Sequence, residues 1–191
     1  MSASMPNALT VDVEEYFQVS AFEAHFSRDG WTDVPSRLAI GLDAVLEVAA
    51  RARARGTFFV LGWIARHHPA LVRRISEAGH EVGCHGSEHR LVYRMDSASF
   101  RGDLRDALRA IEDAAGTACR AYRAPSFSVT RKSLWALAVL AEEGILVDSS
   151  VYPVLHDRYG IPGAPRFPFR PLREHPEFVE FPPSTVRWLG R

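Results

Sequence analysis

Cysteine is almost absent from this sequence. Its 191 residues hold only Cys84 and Cys119. They share no CxxC spacing and lie in separate apolar, strand-like segments, so neither a zinc-cysteine cluster nor a disulfide framework is indicated. Buried free thiols are expected. An excess of one charge is lacking too: Lys plus Arg and Asp plus Glu number 23 each, which leaves no overall field to attract nucleic acid or an anionic membrane surface. Any binding must come from a local site. No uninterrupted apolar stretch approaches the ~18 residues of a spanning helix, and the opening "MSASMPNALT" has no basic region followed by an apolar one. The expectation is a cytoplasmic protein with no transmembrane segment and no nucleic-acid partner. Core-forming residues are plentiful at 47%, enough for a single globular domain over residues 1–191.

Four times the sequence runs through a helical pattern, a glycine and a short apolar run. "SRLAIGLDAVLEVAARARARG" precedes "TFFVLG", "PALVRRISEAG" precedes "HEVGCH", "SFRGDLRDALRAIEDAAG" precedes "ACRAYRAPS", and "TRKSLWALAVLAEEG" precedes "ILVDSS". Glycine just past a helix supplies the left-handed residue that ends it, so Gly56, Gly79, Gly116 and Gly144 read as terminators. With the opening strand in "LTVDV", this predicts five strands and four helices. Alternation of this kind implies parallel pairing, and hence an α/β sheet or barrel. A full eightfold barrel takes ~250 residues, so an incomplete, distorted (β/α) barrel is expected, its C-terminal part cut short. The proline- and arginine-rich "GIPGAPRFPFRPLREHPEFVEFPPS" reads as an extended excursion over the surface, and "EFVEFPPSTV" as one further strand.

Ligands in parallel α/β folds sit beyond the carboxyl ends of the strands. There the sequence places Asp12, Glu14 and Glu15 on the first strand, His85 and His89 after the third, Arg123 on the fourth, and Asp148, Ser149 and Ser150 on the fifth; the second strand ends in the apolar "VLGWIA". Two histidines four apart share a face if the segment is helical, and both imidazoles then reach one ion. Alone the pair is weak, and the histidines of "RHHPA" read as solvated. A neighbouring cluster of acids strengthens it: two histidines and one carboxylate leave open positions on the ion, as a catalytic metal requires. One carboxylate binds the metal and another takes a proton from water. The strand period of two puts Asp12 and Glu14 on one face and Glu15 on the other. Without the histidines the acids would read as a solvated strand end or a helix cap. Arg123 interrupts an apolar strand, and a buried arginine wants a carboxylate, for which Asp12 is the natural partner. An iron oxygenase uses the same ligand types, but such triads are commonly mounted on β-sandwiches, which the βα alternation argues against. Tyr16, Phe17, Trp63, Tyr93, Phe127 and Tyr152 lie near strand ends where rings suit sugars; aromatics are more often core, and no more than two are expected to face a ligand.

Together "LTVDVEEYFQVSAFE", "GTFFVLGWIARHHPALVRRISEAGHEVGCHGSEH", "YRAPSFSVT" and "LVDSSVYPVLHDRYGIPG" resemble the polysaccharide deacetylases with a NodB-like domain, the family-4 carbohydrate esterases, and within them the branch associated with exosortase-linked exopolysaccharide clusters. The resemblance implies a distorted (β/α) barrel that removes N-acetyl groups from sugar amides with a divalent metal, most often zinc. It implies Asp12 as general base, His85 and His89 as metal ligands, Arg123 as the residue holding the base, and Ser126 as the source of a backbone N–H for the oxyanion. Val13 separates acids that are adjacent in many members, so the third ligand falls to Glu14 or Glu15, with Glu14 favoured by the same-face argument. The late histidine that protonates the leaving amine has no match, since His175 in "REHPEFVEF" has the wrong context; the general acid is expected beyond Arg191. Other readings are a metal-independent hydrolase of cyclic amides or imides on the same fold, and a saccharide-binding relative without activity.

Overall fold

The computed structural model describes residues 7–186. Six strands form one sheet in chain order, and every neighbouring pair is parallel. They are β1 (Leu9–Val13), β2 (Gly56–Val60), β3 (Glu81–Cys84), β4 (Ala121–Tyr122), β5 (Val147–Asp148) and β6 (Val179–Glu180). The connecting helices are α1 (Leu38–Ala52), α2 (Gly62–His67), α3 (Pro69–Glu77), α4 (Ser97–Ala115) and α5 (Trp135–Glu142). This is the α/β, incomplete barrel that the alternation predicts. It stands open between β1 and β6, where Thr10 and Phe181 help line a cleft of about 540 Å³. The proline-rich tail crosses from β5 to β6 almost without regular structure, and β6 arises inside "EFVEFPPSTV". Among the described residues no helix is long and apolar enough to cross a membrane. The opening residues 1–6 and the closing 187–191 lie outside the described residues.

Three local expectations need correction. Gly56 does not end α1; Arg53 takes the left-handed conformation with φ of 51°. Gly56 instead opens β2, where a Cβ would lie 3.0 Å from the Leu9 carbonyl oxygen, so the glycine serves close strand approach. The stretch "VLGWIA" is not only a strand end, because α2 begins at Gly62 and adds a helix to the predicted four. Its first amides have partners outside the helix: Gly62 donates to the Gly86 carbonyl at 2.9 Å and Trp63 to the Ser87 carbonyl at 2.8 Å. Finally, "HGSEH" is a loop, with His89 at φ of 53°. Gly79, Gly116 and Gly144 do take positive φ where their helices end, at 81°, 71° and 85°.

The core is the surface that β2 and β3 share with α2, α3 and α4. Phe58, Val60, Ile64, Val72, Ile75, Leu104 and Ile111 are all fully buried there. Contact between α2 and α4 is tight enough that a Cβ on Gly62 would lie 2.8 Å from the Ala107 Cα. Both cysteines are buried free thiols, and burial pushes Cys119 up to about 12.

One buried pair is acidic. Asp148 and Glu180 are register partners on β5 and β6, and both are fully buried. Asp148 Oδ1 accepts from the Ser150 hydroxyl at 2.5 Å and Glu180 Oε1 from the Val151 amide at 3.1 Å. Desolvation raises both carboxyls, and the Asp148 charge adds to the rise at Glu180. The interior tolerates the neutral form, so the pair's stabilisation is complete only below the ordinary values of 3.8 for Asp and 4.5 for Glu and is lost as pH climbs through the raised folded-state values.

Two outcomes follow. Glu180→Gln should flatten the fall in stability above pH ~5, as read by urea titrations across pH; an unchanged slope would show that other groups cause it. Gly62→Ala should cost about 1–3 kcal/mol through overpacking against Ala107, measured as a lower denaturation midpoint.

Candidate metal centre and active site

β1 ends at Val13, and its period of two, carried on into Glu14 and Glu15, sorts the acids. Thr10, Asp12 and Glu14 point towards the sheet's exit, whereas Glu15 turns outwards to α1. There its carboxylate accepts from the Arg37 amide at 3.1 Å and the Leu38 amide at 3.3 Å, and from the Ser36 hydroxyl. Glu15, 2% exposed, thus caps the first turn of α1. Of the two acids that the sequence leaves open, Glu15 is engaged at α1, and Glu14 is the one that reaches the histidines.

Glu14 meets the two histidines of the β3–α4 loop. The ligand atoms of Glu14, His85 and His89 all lie within 4.8 Å of one another. Glu14 Oε2 stands 2.9 Å from His89 Nε2 and 3.9 Å from His85 Nε2. His85 Nδ1 is 2.8 Å from the Arg123 carbonyl oxygen. A carbonyl only accepts, so Nδ1 carries the proton and Nε2 faces Glu14 with its lone pair bare. Burial lowers the His85 pKa, with the Asp12 and Glu14 charges opposing in part, which favours the neutral imidazole that a metal needs. At Glu14 burial acts upwards, but the contact with His89 and the nearby charges of His85 and His89 outweigh it and hold the carboxyl below its ordinary value.

One atom of this group is unsatisfied. His89 Nδ1 is buried and has no hydrogen-bond partner, a state that costs free energy unless something binds there. Two imidazoles and a carboxylate are the donor set of a divalent transition metal with open positions. The residues therefore fit such an ion.

The loop that carries the histidines is anchored from three sides. The α2 amides hold Gly86 and Ser87, the Asp103 carboxylate of α4 accepts from the Ser87 amide at 2.9 Å, and Arg28 donates to the Glu88 carbonyl at 3.1 Å. Sequence reasoning missed Asp103 and Arg28. Neither carries a local signal, because both act across long separations.

Arg123 lies beside this group, 6% exposed. It donates from Nη1 to Asp12 Oδ1 at 2.9 Å, and from Nη2 to the Thr10 hydroxyl at 3.0 Å and the Ser149 hydroxyl at 2.9 Å. Its guanidinium also stacks over the Phe59 ring at 4.4 Å. Thr10 was missed, although stepping back two residues from Asp12 would have found it. Beyond Arg123 the chain turns sharply, and Ser126 and Phe127 both take φ of 50°, conformations that cost about 1–3 kcal/mol each and cluster at functional sites. The Ala124 amide is held by the Ser150 hydroxyl at 2.8 Å. His175 faces Glu177 at 3.3 Å on the loop before β6 and does not belong to the cluster. Among the sequence-predicted aromatics, Phe17 and Trp63 are core, packed with Trp31 at centroid distances of 6.1 and 5.8 Å; Tyr16, Tyr93, Phe127 and Tyr152 are at least partly exposed.

The sequence model described as polysaccharide deacetylase matches residues 32–143, and one described as a domain of unknown function (DUF3473) matches residues 149–191. A chitooligosaccharide deacetylase from Bradyrhizobium sp. (strain ANU 289) is 36% identical over 98 residues, which is 51% of this chain and 42% of that protein. The peptidoglycan-N-acetylglucosamine deacetylase PgdA of Listeria monocytogenes (strain 10403S) is 30% identical over 88 residues, 46% of this chain and 19% of that protein. A crystal structure from Mycobacterium smegmatis, assigned as a polysaccharide deacetylase, superposes with a TM-score of 0.75 at 26% identity and covers 95% of this chain and 61% of that one. This chain thus spans less than two thirds of each of these relatives. Matched over more than half of its length, and sharing the fold, it belongs to the polysaccharide deacetylase family.

Proposed function

We propose that this chain hydrolyses the N-acetyl groups of an amino-sugar polymer or its precursor, with a divalent metal ion, preferentially zinc, held by Glu14, His85 and His89. The observation that carries the proposal is the convergence of those three ligand atoms within 4.8 Å beside an Asp12 tethered by Arg123 at 2.9 Å. The names of the Bradyrhizobium and Listeria relatives, which specify acetylated amino sugars, support the substrate class.

When bound, such an ion would polarise the acetamide carbonyl and acidify a water molecule. Every other role falls to the chain. Arg123 occupies Asp12 Oδ1, which leaves the second carboxylate oxygen to accept the proton of the attacking water. The guanidinium, itself fixed by Thr10 and Ser149, sets the direction of that oxygen. Ser126, on the turn with positive φ, offers its backbone N–H to the oxygen on which negative charge develops. An exopolysaccharide-linked role is a further proposal that rests on the motif resemblance.

Metal content decides the ligand set. His85→Ala and His89→Ala should each reduce chelator-sensitive zinc, read by elemental mass spectrometry, at least tenfold while circular dichroism stays parental. Zinc retained at full occupancy in either variant would sink the assignment. Glu14→Ala should empty the site, whereas Glu15→Ala should keep the metal and lose about 1–2 kcal/mol of stability through the missing cap. Asp12→Asn should bind metal normally and release acetate from chitooligosaccharide at least a hundredfold more slowly; parental turnover would assign the base elsewhere.

A further inference from the structure

Beside the candidate metal cluster lies a second concavity, which shares Ser126 with the deacetylation chemistry and extends beyond it. The segment from Tyr152 to Ile161 folds back on itself, and the Tyr152 carbonyl oxygen accepts from the Val154 amide at 2.9 Å and the Ile161 amide at 2.8 Å. Gly160 makes this closure possible: its φ is 93°, and a Cβ there would lie 2.4 Å from the Val154 carbonyl oxygen. The fold-back produces an aromatic stack. Tyr152 and Tyr159 lie 5.8 Å apart with 6° between their planes, and His156 covers Tyr159 at 3.8 Å and 10°. Phe127 meets the two tyrosines at 5.0 and 6.1 Å and carries the Arg123 guanidinium over its ring at 5.6 Å. The aromatic wall therefore begins where the catalytic group ends.

Phe127, His156 and Tyr159 of this wall line a cavity of about 420 Å³, together with Ser20, Ser126, Arg94 and Arg158. The Ser20 and Ser126 hydroxyls, 3.0 Å apart, supply donors and acceptors at its inner end. The rim charge is unbalanced. Glu23 is the only carboxylate in the lining, and Arg28 and Arg94 already engage it at 3.2 and 3.3 Å. Asp157 faces His156 at 2.8 Å, which leaves the Arg158 guanidinium without a carboxylate partner among the described residues. Aromatic faces receive the C–H-rich face of a pyranose, hydroxyl pairs orient its oxygens, and a free guanidinium takes a carboxylate with two parallel hydrogen bonds.

We propose that this cavity is the subsite for the sugar next to the acetylated one, and that Arg158 makes it select a neighbour bearing a carboxylate, so that the substrate class is an acidic acetamido glycan. The inference rests on the deacetylase reading of the adjoining cluster.

Equilibrium binding tests it without relying on turnover. Titration calorimetry would compare hyaluronan tetrasaccharide, which alternates acetamido sugar with uronic acid, against neutral chitotetraose, alongside an acetate-release assay on both. The parent should bind the acidic probe at least tenfold more tightly. Arg158→Ala should abolish that preference by weakening the acidic probe at least tenfold more than chitotetraose, and Tyr159→Ala should weaken both probes about tenfold. Equal affinity of the parent for the two probes, no binding of either, or a preference that survives Arg158→Ala would overturn the subsite. Binding with the expected preference but without acetate release would uphold the subsite and count against the deacetylase reading alone.

Discussion

The buried guanidinium of Arg123 is the constraint around which the candidate site is organised. A charge this far from water survives only when its donors are matched, and here they reach an acid and a hydroxyl on β1 and a hydroxyl and carbonyl after β5. The same residue's carbonyl oxygen fixes the tautomer of His85. One arginine just past a two-residue strand thereby ties Asp12, the imidazole of His85 and the positive-φ turn at Ser126 into one group.

Around that group, burial does the electrostatic work. Burial pushes the His85 pKa down, towards the neutral imidazole, whereas the contact with His89 is the main influence that holds the Glu14 carboxyl below its ordinary value against burial. A base and two lone-pair donors in one dry corner make a group that binding a cation would satisfy. The histidine loop can hold that geometry without being helical, because α2, α4 and Arg28 take up its backbone groups. Helix periodicity was therefore the wrong reason for a correct juxtaposition.

The family match runs from residue 32 to 143 and so includes His85, His89 and Arg123 but not Asp12 or Glu14. The second match, from residue 149, takes in the Tyr152–Ile161 fold-back and Glu180. The site is thus assembled from a matched central stretch and an opening strand outside it. Beside it the later stretch contributes the aromatic wall, where the chain's own specificity is to be sought.

The repeat of helix, glycine and apolar run, and the period of two along "LTVDVEEY", determined by themselves the parallel α/β alternation, the shared face of Asp12 and Glu14, and the outward turn of Glu15. Those features depend on neighbours a few residues apart, where backbone geometry and burial pattern suffice. Tertiary structure alone decided the rest. That Glu15 caps α1, that Asp103 pins the histidine loop and that Asp148 faces Glu180 all depend on groups brought together from distant parts of the chain. No local pattern encodes such pairings, because each is chosen by which buried polar group remains to be satisfied once the sheet has closed.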